Sequence, residues 1–394
     1  MVLVHHIKQK EWSLVIYLDN AATTQMDERV LDAMMPYLTT EYGNAGTLYK
    51  FGRAANEAVQ KARAQVAALI NAEPEQVIFT SGGSEANSLV FHGLKDYLKS
   101  VGKTHILVSA VEHDSVLRAA ESLIKDGFHV EYIPVSNECR VSPAVIENAL
   151  RADTGLVSVM FANNETGAIN PIEDIGTICM KRGILFHTDC VQAAGCYPID
   201  VVKIGCDFLS VSSHKIHGCK GVGALYAKDK SKLAPIVYGG SEQEFGLRGG
   251  TENVAGIVGF GKACEISSKS LHEDTVWVST LKQRFFMALN EALKDTGDEG
   301  CVHVNGMSIL TPGKTINLRM DGVDGETLLL MLDGKGVCVS AGSACRSHEA
   351  EPSHVLSAMG LSKEEARASI RISFSKKNTA DEAVRAAQIL AGCI

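Results

Sequence analysis

The feature that most constrains the fold is a regular alternation of short apolar runs and amphipathic helical patterns, from about residue 54 to residue 227. Strands that alternate with helices are typical of a largely parallel sheet with helices on both faces. The sequence therefore predicts an α/β fold. The predicted strands are 77–80, 106–109, 130–134, 156–161, 184–187, 208–211 and 223–227. The last two strands follow each other closely, which predicts that they are neighbours in the sheet.

The rhythm changes after about residue 259, where a long helical pattern runs to about residue 294. Beyond it, strands at 315–319 and 369–374 mix with helices at 324–332 and 381–390. A chain of 394 residues exceeds the usual size of one hydrophobic core, so two domains are expected. We predict a large domain at 21–265 and a smaller α+β domain formed by 1–20 and 266–394.

The composition of the chain argues against nucleic-acid-binding, secreted and membrane proteins. The net charge of -8, with acidic and basic residues interspersed, argues against a nucleic-acid-binding role and suits a small-molecule ligand. The first twelve residues contain neither a signal-peptide pattern nor an apolar run long enough to span a membrane. The eleven cysteines are odd in number and follow no disulfide spacing. These observations predict free thiols and a cytoplasmic protein without a membrane partner.

Lys215 ends an apolar segment and lies among small and hydroxyl residues, not among other charges. The residues just before it are Ser212, Ser213 and His214. A lysine that is removed from water in this way has a lowered pKa and can react with a carbonyl group. The composition of this segment therefore makes Lys215 a candidate reactive amine.

The run Ser81-Gly-Gly-Ser84 joins a predicted strand to a predicted helix. The free N–H groups at the start of a helix favour an anion such as phosphate. The alternative is a tight turn in which Ser84 caps the helix. The run lacks the lysine of a P-loop and the spacing of a dinucleotide fingerprint, which argues against a nucleotide.

Asp189 and Gln192 follow an apolar strand, at the sheet edge where ligands bind in open α/β folds. A carboxylate there can keep a heterocyclic nitrogen protonated, and an amide three residues later can reach a ring oxygen. A metal site formed by His187, Asp189 and Cys190 is the alternative. We reject it because adjacent strand residues point to opposite faces and no fourth ligand is evident.

His113 and Asn164 also lie just beyond predicted strands. His113 could stack on a flat ring or transfer a proton, and the alternative is a capped helix that starts at Asp114. Asn164 could bind a ring substituent, although asparagine-rich turns are common. One cofactor accounts for these features together. Pyridoxal phosphate needs a lysine for its Schiff base, an acid for its pyridine nitrogen and a phosphate site at a helix start.

The chain resembles the fold-type-I pyridoxal-phosphate enzymes of the class V aminotransferase group, and in particular the NifS/IscS-type cysteine desulfurases. The matching text covers nearly the whole chain. It comprises the segments 17–24, 43–44, 80–87, 112–113, 163–167, 187–192, 212–215, 248–253 and 340–345. The resemblance implies a large domain with a mostly parallel sheet between helices and a smaller α+β domain.

The resemblance also implies roles for the residues around the ring of the cofactor. Lys215 would carry the Schiff base and later move the Cα proton of the substrate. Asp189 would pair with the pyridine nitrogen, and His113 would stack on the ring. Gln192 and Asn164 would reach the ring oxygen.

Further roles concern the phosphate, the substrate and the second subunit. The residues expected to hold the phosphate are Gly83, Ser84, Ser212 and His214. Thr251 would reach the phosphate of the neighbouring subunit, which implies a homodimer. Asn44 and Arg371 would bind the substrate carboxylate, a task for which the paired N–H groups of arginine are suited.

Cys345 distinguishes the reaction that the resemblance implies. It lies in a run of small residues that predicts a loop, beside Arg346, which could favour the thiolate. In a cysteine desulfurase it would take the sulfur of L-cysteine as a persulfide, and L-alanine would leave. The persulfide would pass to an acceptor such as an iron–sulfur scaffold protein. Cys338, in an apolar segment, is expected to be structural.

Two departures from the family pattern and two rival functions remain. Gly43-Asn-Ala-Gly46 differs from the sequence common in the family, and Cys219 stands where a proline is usual.

The first rival function is a selenocysteine lyase on the same fold, for which Cys345 would be dispensable. The second is a sulfur-carrier or cluster-assembly protein that binds no cofactor.

Overall fold

The computed structural model describes residues 15–307, 311–341 and 352–394. The strands are β1 Ile16–Tyr17, β2 Val77–Thr80, β3 His105–Ser109, β4 His129–Ile133, β5 Thr154–Ser158, β6 Leu185–Asp189, β7 Phe208–Ser212, β8 Gly223–Ala227, β9 Val302–Asn305, β10 Thr315–Met320, β11 Val337–Cys338, β12 Ser340–Ala341 and β13 Ser369–Ser373. The α-helices are α1 Glu28–Thr39, α2 Lys50–Leu69, α3 Gly83–Ser100, α4 Asp114–Ser122, α5 Pro143–Ala149, α6 Ile172–Arg182, α7 Val201–Ile204, α8 Val254–Thr296, α9 Gly325–Gly334, α10 His354–Ala358, α11 Lys363–Arg367 and α12 Ala380–Ala391.

The main sheet has the strand order β2-β8-β7-β6-β5-β3-β4 within the described residues. Strand β8 is antiparallel to both of its neighbours, and the other pairs are parallel. The predicted parallel sheet is confirmed, and so is the predicted pairing of the two late strands. All strands except β8 therefore end at the same edge of the sheet, where the loops that follow them meet.

Helices cover both faces of this sheet because its strands are apolar on both sides. On one face, Phe91 and Leu94 of α3 pack with Val116 of α4 against the strands. On the other face, Val59 and Val66 of α2 belong to a core that also includes α6 and the start of α8. The two cores hold the strands in place, and the strands in turn position the loops at the edge of the sheet.

A second, antiparallel sheet has the order β12-β13-β10-β9 in the described part of the chain. Its apolar side packs against α8, α9 and α12 around the buried rings of Phe285 and Phe374. Ile16 and Leu18 belong to the same core. Helix α8 runs without a break past both cores, with Phe260 in the first and Phe285 in the second. The proposed domain boundary at residue 265 falls within this helix and stays a prediction.

The predicted strand 156–161 differs from the observed element. Strand β5 covers Thr154–Ser158, but hydrogen bonds to β6 continue beyond it, from Val159 N to His187 O (3.1 Å) and from Phe161 N to Asp189 O (3.0 Å). The apolar residues therefore continue as far as the hydrogen bonds to β6, which extend beyond the end of the regular strand β5. Strands β1, β11 and β12 have two residues each, too few to produce a detectable sequence period.

Among the described residues, no helix combines the length and apolar character that crossing a bilayer requires. The cysteines in the described ranges are all unpaired thiols, and most of them are buried. Burial raises the pKa of the Cys139 and Cys179 thiols to about 12, so these side chains act as small apolar groups.

Candidate active site

A cavity of about 200 Å³ opens at the edge where the parallel strands end. Its lining residues come from loops that follow five different strands and from the first turns of α3 and α4. They are Gly83, Ser84, Asn87, His113, Ser115, Met160, Asn164, Asp189, Val191, Gln192, Ser212, His214 and Lys215. The structure therefore brings together nine residues that the sequence singled out, from Gly83 to Lys215.

Lys215 ends a short 3₁₀ turn that follows β7 directly. Its Nζ donates hydrogen bonds to the carbonyl oxygens of Ala21 (2.5 Å) and Ala22 (2.6 Å), both neutral acceptors. Burial, followed by the charges of Lys314 and Arg371, lowers the pKa of Lys215 to about 7. A large share of this amine is therefore unprotonated at neutral pH, as a nucleophilic lysine requires.

Lys215 also lines a second cavity, and Lys314 is part of the wall of that cavity. Lys314 is buried, and its Nζ donates to the carbonyl oxygen of Lys215 at 3.3 Å. Burial lowers the pKa of Lys314 as well. Lys314 was not predicted from the sequence, because it lies 99 positions from Lys215.

Asp189 is buried at the end of β6, and both of its carboxylate oxygens accept hydrogen bonds from neutral groups. Asn87 Nδ2 donates to Oδ2 at 2.8 Å, and Val191 N donates to Oδ1 at 2.9 Å. Neither donor carries a charge that would neutralise the carboxylate. A protonated ring nitrogen in the cavity would supply that charge.

Asn87 also connects Asp189 to His113. Its Nδ2 lies 2.9 Å from Ser115 Oγ, and Ser115 Oγ lies 2.8 Å from His113 Nδ1. His113 Nδ1 also accepts from Ser115 N at 3.1 Å, which makes His113 the N-cap of α4. Because Nδ1 is an acceptor, the proton of the neutral ring is on Nε2. His113 itself caps this helix, whose first residue is Asp114, and it lines the cavity at the same time.

The start of α3 leaves backbone N–H groups free to bind an anion. Its N-cap is Gly82, and no side chain caps the helix, so the first N–H groups remain available. The alternative interpretation of Ser84 as the cap is wrong, because Ser84 lies inside the first turn. A Cβ atom on Gly83 would come within 2.7 Å of Val191 Cγ2, so a larger residue would have to displace the Val191 side chain in the loop that follows Asp189.

Three buried amide oxygens of the cavity wall have no hydrogen-bond partner among the described residues: Asn87 Oδ1, Asn164 Oδ1 and Gln192 Oε1. Gln192 Nε2 is already engaged with the carbonyl oxygen of Ala21 (2.9 Å). Unpaired buried polar atoms are unfavourable unless a ligand or water satisfies them. With the buried carboxylate, the amine and the uncapped helix, they fit a flat, polar ring that carries a phosphate.

Arg371 lies beside the cavity, on β13 of the second sheet. It forms an ion pair with Asp19 (2.8 Å) and donates to the carbonyl oxygen of Asn164 (3.3 Å). Its Nε has no partner in the described part of the chain. Asn44 is exposed, and its side chain accepts from Gly46 N (2.8 Å). Neither residue lines the cavity itself.

Thr251 is exposed and does not line the cavity. It follows Arg248, which is joined to Glu85 in the first turn of α3 (3.0 Å). Cys345 lies outside the described residues.

The contacts of His187 also argue against the metal site formed by His187, Asp189 and Cys190. His187 is buried, and both of its ring nitrogens contact serine hydroxyls: Nδ1 lies 2.8 Å from Ser158 Oγ, and Nε2 lies 3.2 Å from Ser210 Oγ.

Four lining residues were not predicted from the sequence: Asn87, Ser115, Met160 and Val191. Asn87 had a detectable signal, because it lies four positions after Gly83 and so on the same face of the helix. Ser115 lies two positions after His113. Met160 and Val191 are apolar, and nothing in the sequence separates them from core residues.

Comparisons with known proteins agree with this geometry. The family model described as "Aminotransferase class-V" matches residues 16–385. A protein named cysteine desulfurase IscS, from Methanosarcina thermophila, is 40% identical over 375 residues, which cover 95% of this chain and 91% of that protein. A solved structure titled "NIFS-LIKE PROTEIN" has a TM-score of 0.86 and 33% identity, with 96% of this chain and 98% of the other covered. Another, titled "SspA in complex with cysteine", has a TM-score of 0.78 and 33% identity, with 92% and 99% covered.

Proposed function

The chain belongs to the class-V aminotransferase family and, within it, to the cysteine desulfurases, and from this we propose that it converts L-cysteine to L-alanine and transfers the sulfur to Cys345. The members of this family depend on pyridoxal phosphate. The observation that carries the proposal is that Lys215, Asp189 and the uncapped start of α3 line the same cavity. When bound, the cofactor supplies an electron sink for the carbanion at the substrate Cα.

Lys215 would hold the cofactor through Nζ and move the proton at the substrate Cα. Its pKa of about 7 supports both tasks, because the amine can accept and release a proton near neutral pH. The carbonyl oxygens of Ala21 and Ala22 hold the amine at the cavity wall.

Asp189 would bind the protonated ring nitrogen, and the Asn87 bond at 2.8 Å would keep the carboxylate in place. Gln192 and Asn164 would face the ring oxygen, and His113 would stack on the ring. The phosphate would bind at Gly83 and Ser84, with Ser212 and His214 opposite. Burial, followed by the charge of Lys215, lowers the pKa of His214 to about 4, so it would be a neutral ligand of this anion.

Arg371 and Asn44 would bind the substrate carboxylate. The support for Arg371 is its position next to Asn164 and its unpartnered Nε. Its pairing with Asp19 means that a substrate carboxylate would have to share or replace that contact. Thr251, exposed and outside the cavity of its own chain, would reach the phosphate site of the neighbouring subunit in a homodimer.

Cys345 would accept the sulfur. The Cβ–S bond of cysteine breaks, a sulfur–sulfur bond forms at Cys345, and the Cβ carbon takes up a proton to give alanine. The atoms balance, and no external oxidant or reductant is needed. The persulfide would then pass to an acceptor protein, such as an iron–sulfur scaffold, in the cytoplasm.

The proposal is tested with purified protein that is loaded with pyridoxal phosphate and given L-cysteine. We expect equal amounts of alanine and transferred sulfur, and one added sulfur atom on Cys345 in a mass measurement. Cys345→Ser should abolish sulfur transfer while cofactor binding is retained. Full activity in Cys345→Ser, together with a preference for selenocysteine, would instead identify a selenocysteine lyase. A protein that does not bind the cofactor would rule out both enzymes.

A further inference from the structure

Three potential metal ligands lie together on strands β3 and β4, away from the candidate active site. In the parallel register, His105 is opposite His129, and Leu107 is opposite Glu131. Because side chains alternate between the faces of a strand, His129 and Glu131 lie on the same face as His105. One ligand atom from each of the three residues lies within 4.8 Å of the others, and the two imidazole rings are 5.2 Å apart.

His105 supplies a second observation that points to a missing ligand. Its side chain is fully buried, and Nδ1 lies 2.8 Å from Thr154 Oγ1. Nε2 lies 3.3 Å from Glu131 Oε2, but it makes no hydrogen bond with any described residue. A buried ring nitrogen therefore faces a carboxylate without a hydrogen bond to it. Such an arrangement is unfavourable unless a bound cation, a proton or a water molecule bridges the two, and a cation is the bridge that would also recruit His129.

We propose that His105, His129 and Glu131 bind one divalent transition-metal ion of the zinc class. Two imidazoles and one carboxylate form a ligand set that such ions accept, with a position left for water. Thr154 can fix the orientation of the His105 ring through Nδ1, as outer ligands do in metal sites.

Arg151 competes with a metal at this position. Its Nη1 lies 3.2 Å from His129 Nδ1, and the guanidinium is paired with Asp153. The charge of Arg151 opposes a second cation nearby, and its hydrogen bond uses a ring nitrogen of His129. Arg151 is exposed, so it can turn away when a metal binds. Removal of Arg151 should therefore strengthen metal binding.

The proposed metal site lies far from the candidate active site, so its effect should be on the stability of the sheet. His105 and His129 begin their strands, whereas Asp189 and Lys215 lie at or beyond the ends of theirs, at the opposite edge of the sheet. Strand β4 is an outer strand of this sheet. A metal ion would join β4 to β3 and stabilise this outer part of the sheet, without contact with the reacting atoms.

The test is a titration of the pyridoxal-phosphate-loaded protein with Co²⁺, followed by its visible d–d absorbance, and a parallel measurement of Tm with and without Zn²⁺. We expect one saturable site without thiolate charge-transfer bands, and a rise in Tm. His129→Gln and Glu131→Gln should each weaken binding by about tenfold or more and remove the rise in Tm. Both side chains are at the surface, so neither substitution should prevent folding.

Two further variants test whether the metal binds at these three residues. Arg151→Gln should bind the metal more tightly than the unmodified protein. His303→Gln is the matched control, because His303 forms an exposed pair with Asp321 (2.8 Å) and belongs to no three-residue cluster of ligands among the described residues. Metal binding by this variant should be unchanged. Thiolate charge-transfer bands, equal binding by all variants, or weaker binding by Arg151→Gln would overturn the proposal.

Discussion

The Nζ atom of Lys314 lies 3.3 Å from the carbonyl oxygen of Lys215, and Lys314 is buried. Next to burial, the charge of Lys314 is the largest influence that lowers the pKa of the Lys215 amine. The positive charge of Lys314 disfavours a second positive charge on the Lys215 amine. Lys314 therefore favours the unprotonated form of the lysine on which the proposed chemistry depends.

Lys314→Met should raise the pKa of Lys215 above about 7, because one source of repulsion is removed. The measurement is the pH dependence of the rate at which cofactor-free protein takes up pyridoxal phosphate, since only the neutral amine reacts. The midpoint should move upward. Lys282→Met is the control, because Lys282 is also buried but bonds to Thr311 O (2.6 Å) and does not act on Lys215. An unchanged or lower midpoint in Lys314→Met would contradict the prediction.

Asn87→Leu should weaken pyridoxal-phosphate binding by about tenfold or more, because Asp189 loses the 2.8 Å bond that orients its charged carboxylate. Equilibrium dialysis of the cofactor measures this loss. Ser115→Ala removes the other partner of Asn87 and leaves the bond to Asp189 intact, so its effect should be smaller. Equal losses in the two variants would show that the Asp189 contact is not the decisive one.

Glu112→Gln should change how stability depends on pH. Burial raises the pKa of Glu112 from 4.5 to about 8, so between these values the folded protein holds a proton that the unfolded chain has released. In this window the group makes the free energy of unfolding fall as pH rises, by on the order of 5 kcal/mol in total. Its contribution is fully present below pH 4.5 and is lost above pH 8.

Urea denaturation at several pH values compares the two proteins. The Gln side chain can still accept the hydrogen bond from Met160 N, which lies 2.6 Å from Glu112 Oε1. The variant should therefore show a shallower decline in stability between pH 4.5 and 8 than the unmodified protein. Parallel curves for the two proteins would mean that Glu112 does not titrate in this window.

Glu244→Gln should destabilise the protein by about 3–5 kcal/mol, because it leaves Arg63 as an uncompensated buried charge. Glu244 binds both Arg63 Nη1 (2.8 Å) and Arg63 Nη2 (2.7 Å) and also accepts from Phe79 N (2.7 Å). Urea denaturation gives the change in the free energy of unfolding. Glu121→Gln, which breaks an exposed pair with Arg118, should have no measurable effect. A loss as small as that of Glu121→Gln would refute the prediction.

The sequence was sufficient for those features that depend on local order along the chain. Apolar runs located the strands of the main sheet, and the rule that parallel strands end at one edge predicted that Asp189, Asn164 and Lys215 would meet. Glycine and serine residues at 81–84 predicted the turn at which α3 starts. These features depend on chain direction and helix polarity, which the sequence encodes within a few residues.

Other features depended on packing between distant segments, and only the tertiary structure decided them. Asn87 meets Asp189 across 102 positions, and Lys314 reaches Lys215 across 99. The grouping of His105, His129 and Glu131 depends on the register of two strands, which a shift of one residue would reverse. The sequence determined which residues lie at the ends of the strands. The packing of the two sheets and their helices decided which buried side chains have partners, because those partners come from segments far apart in the chain.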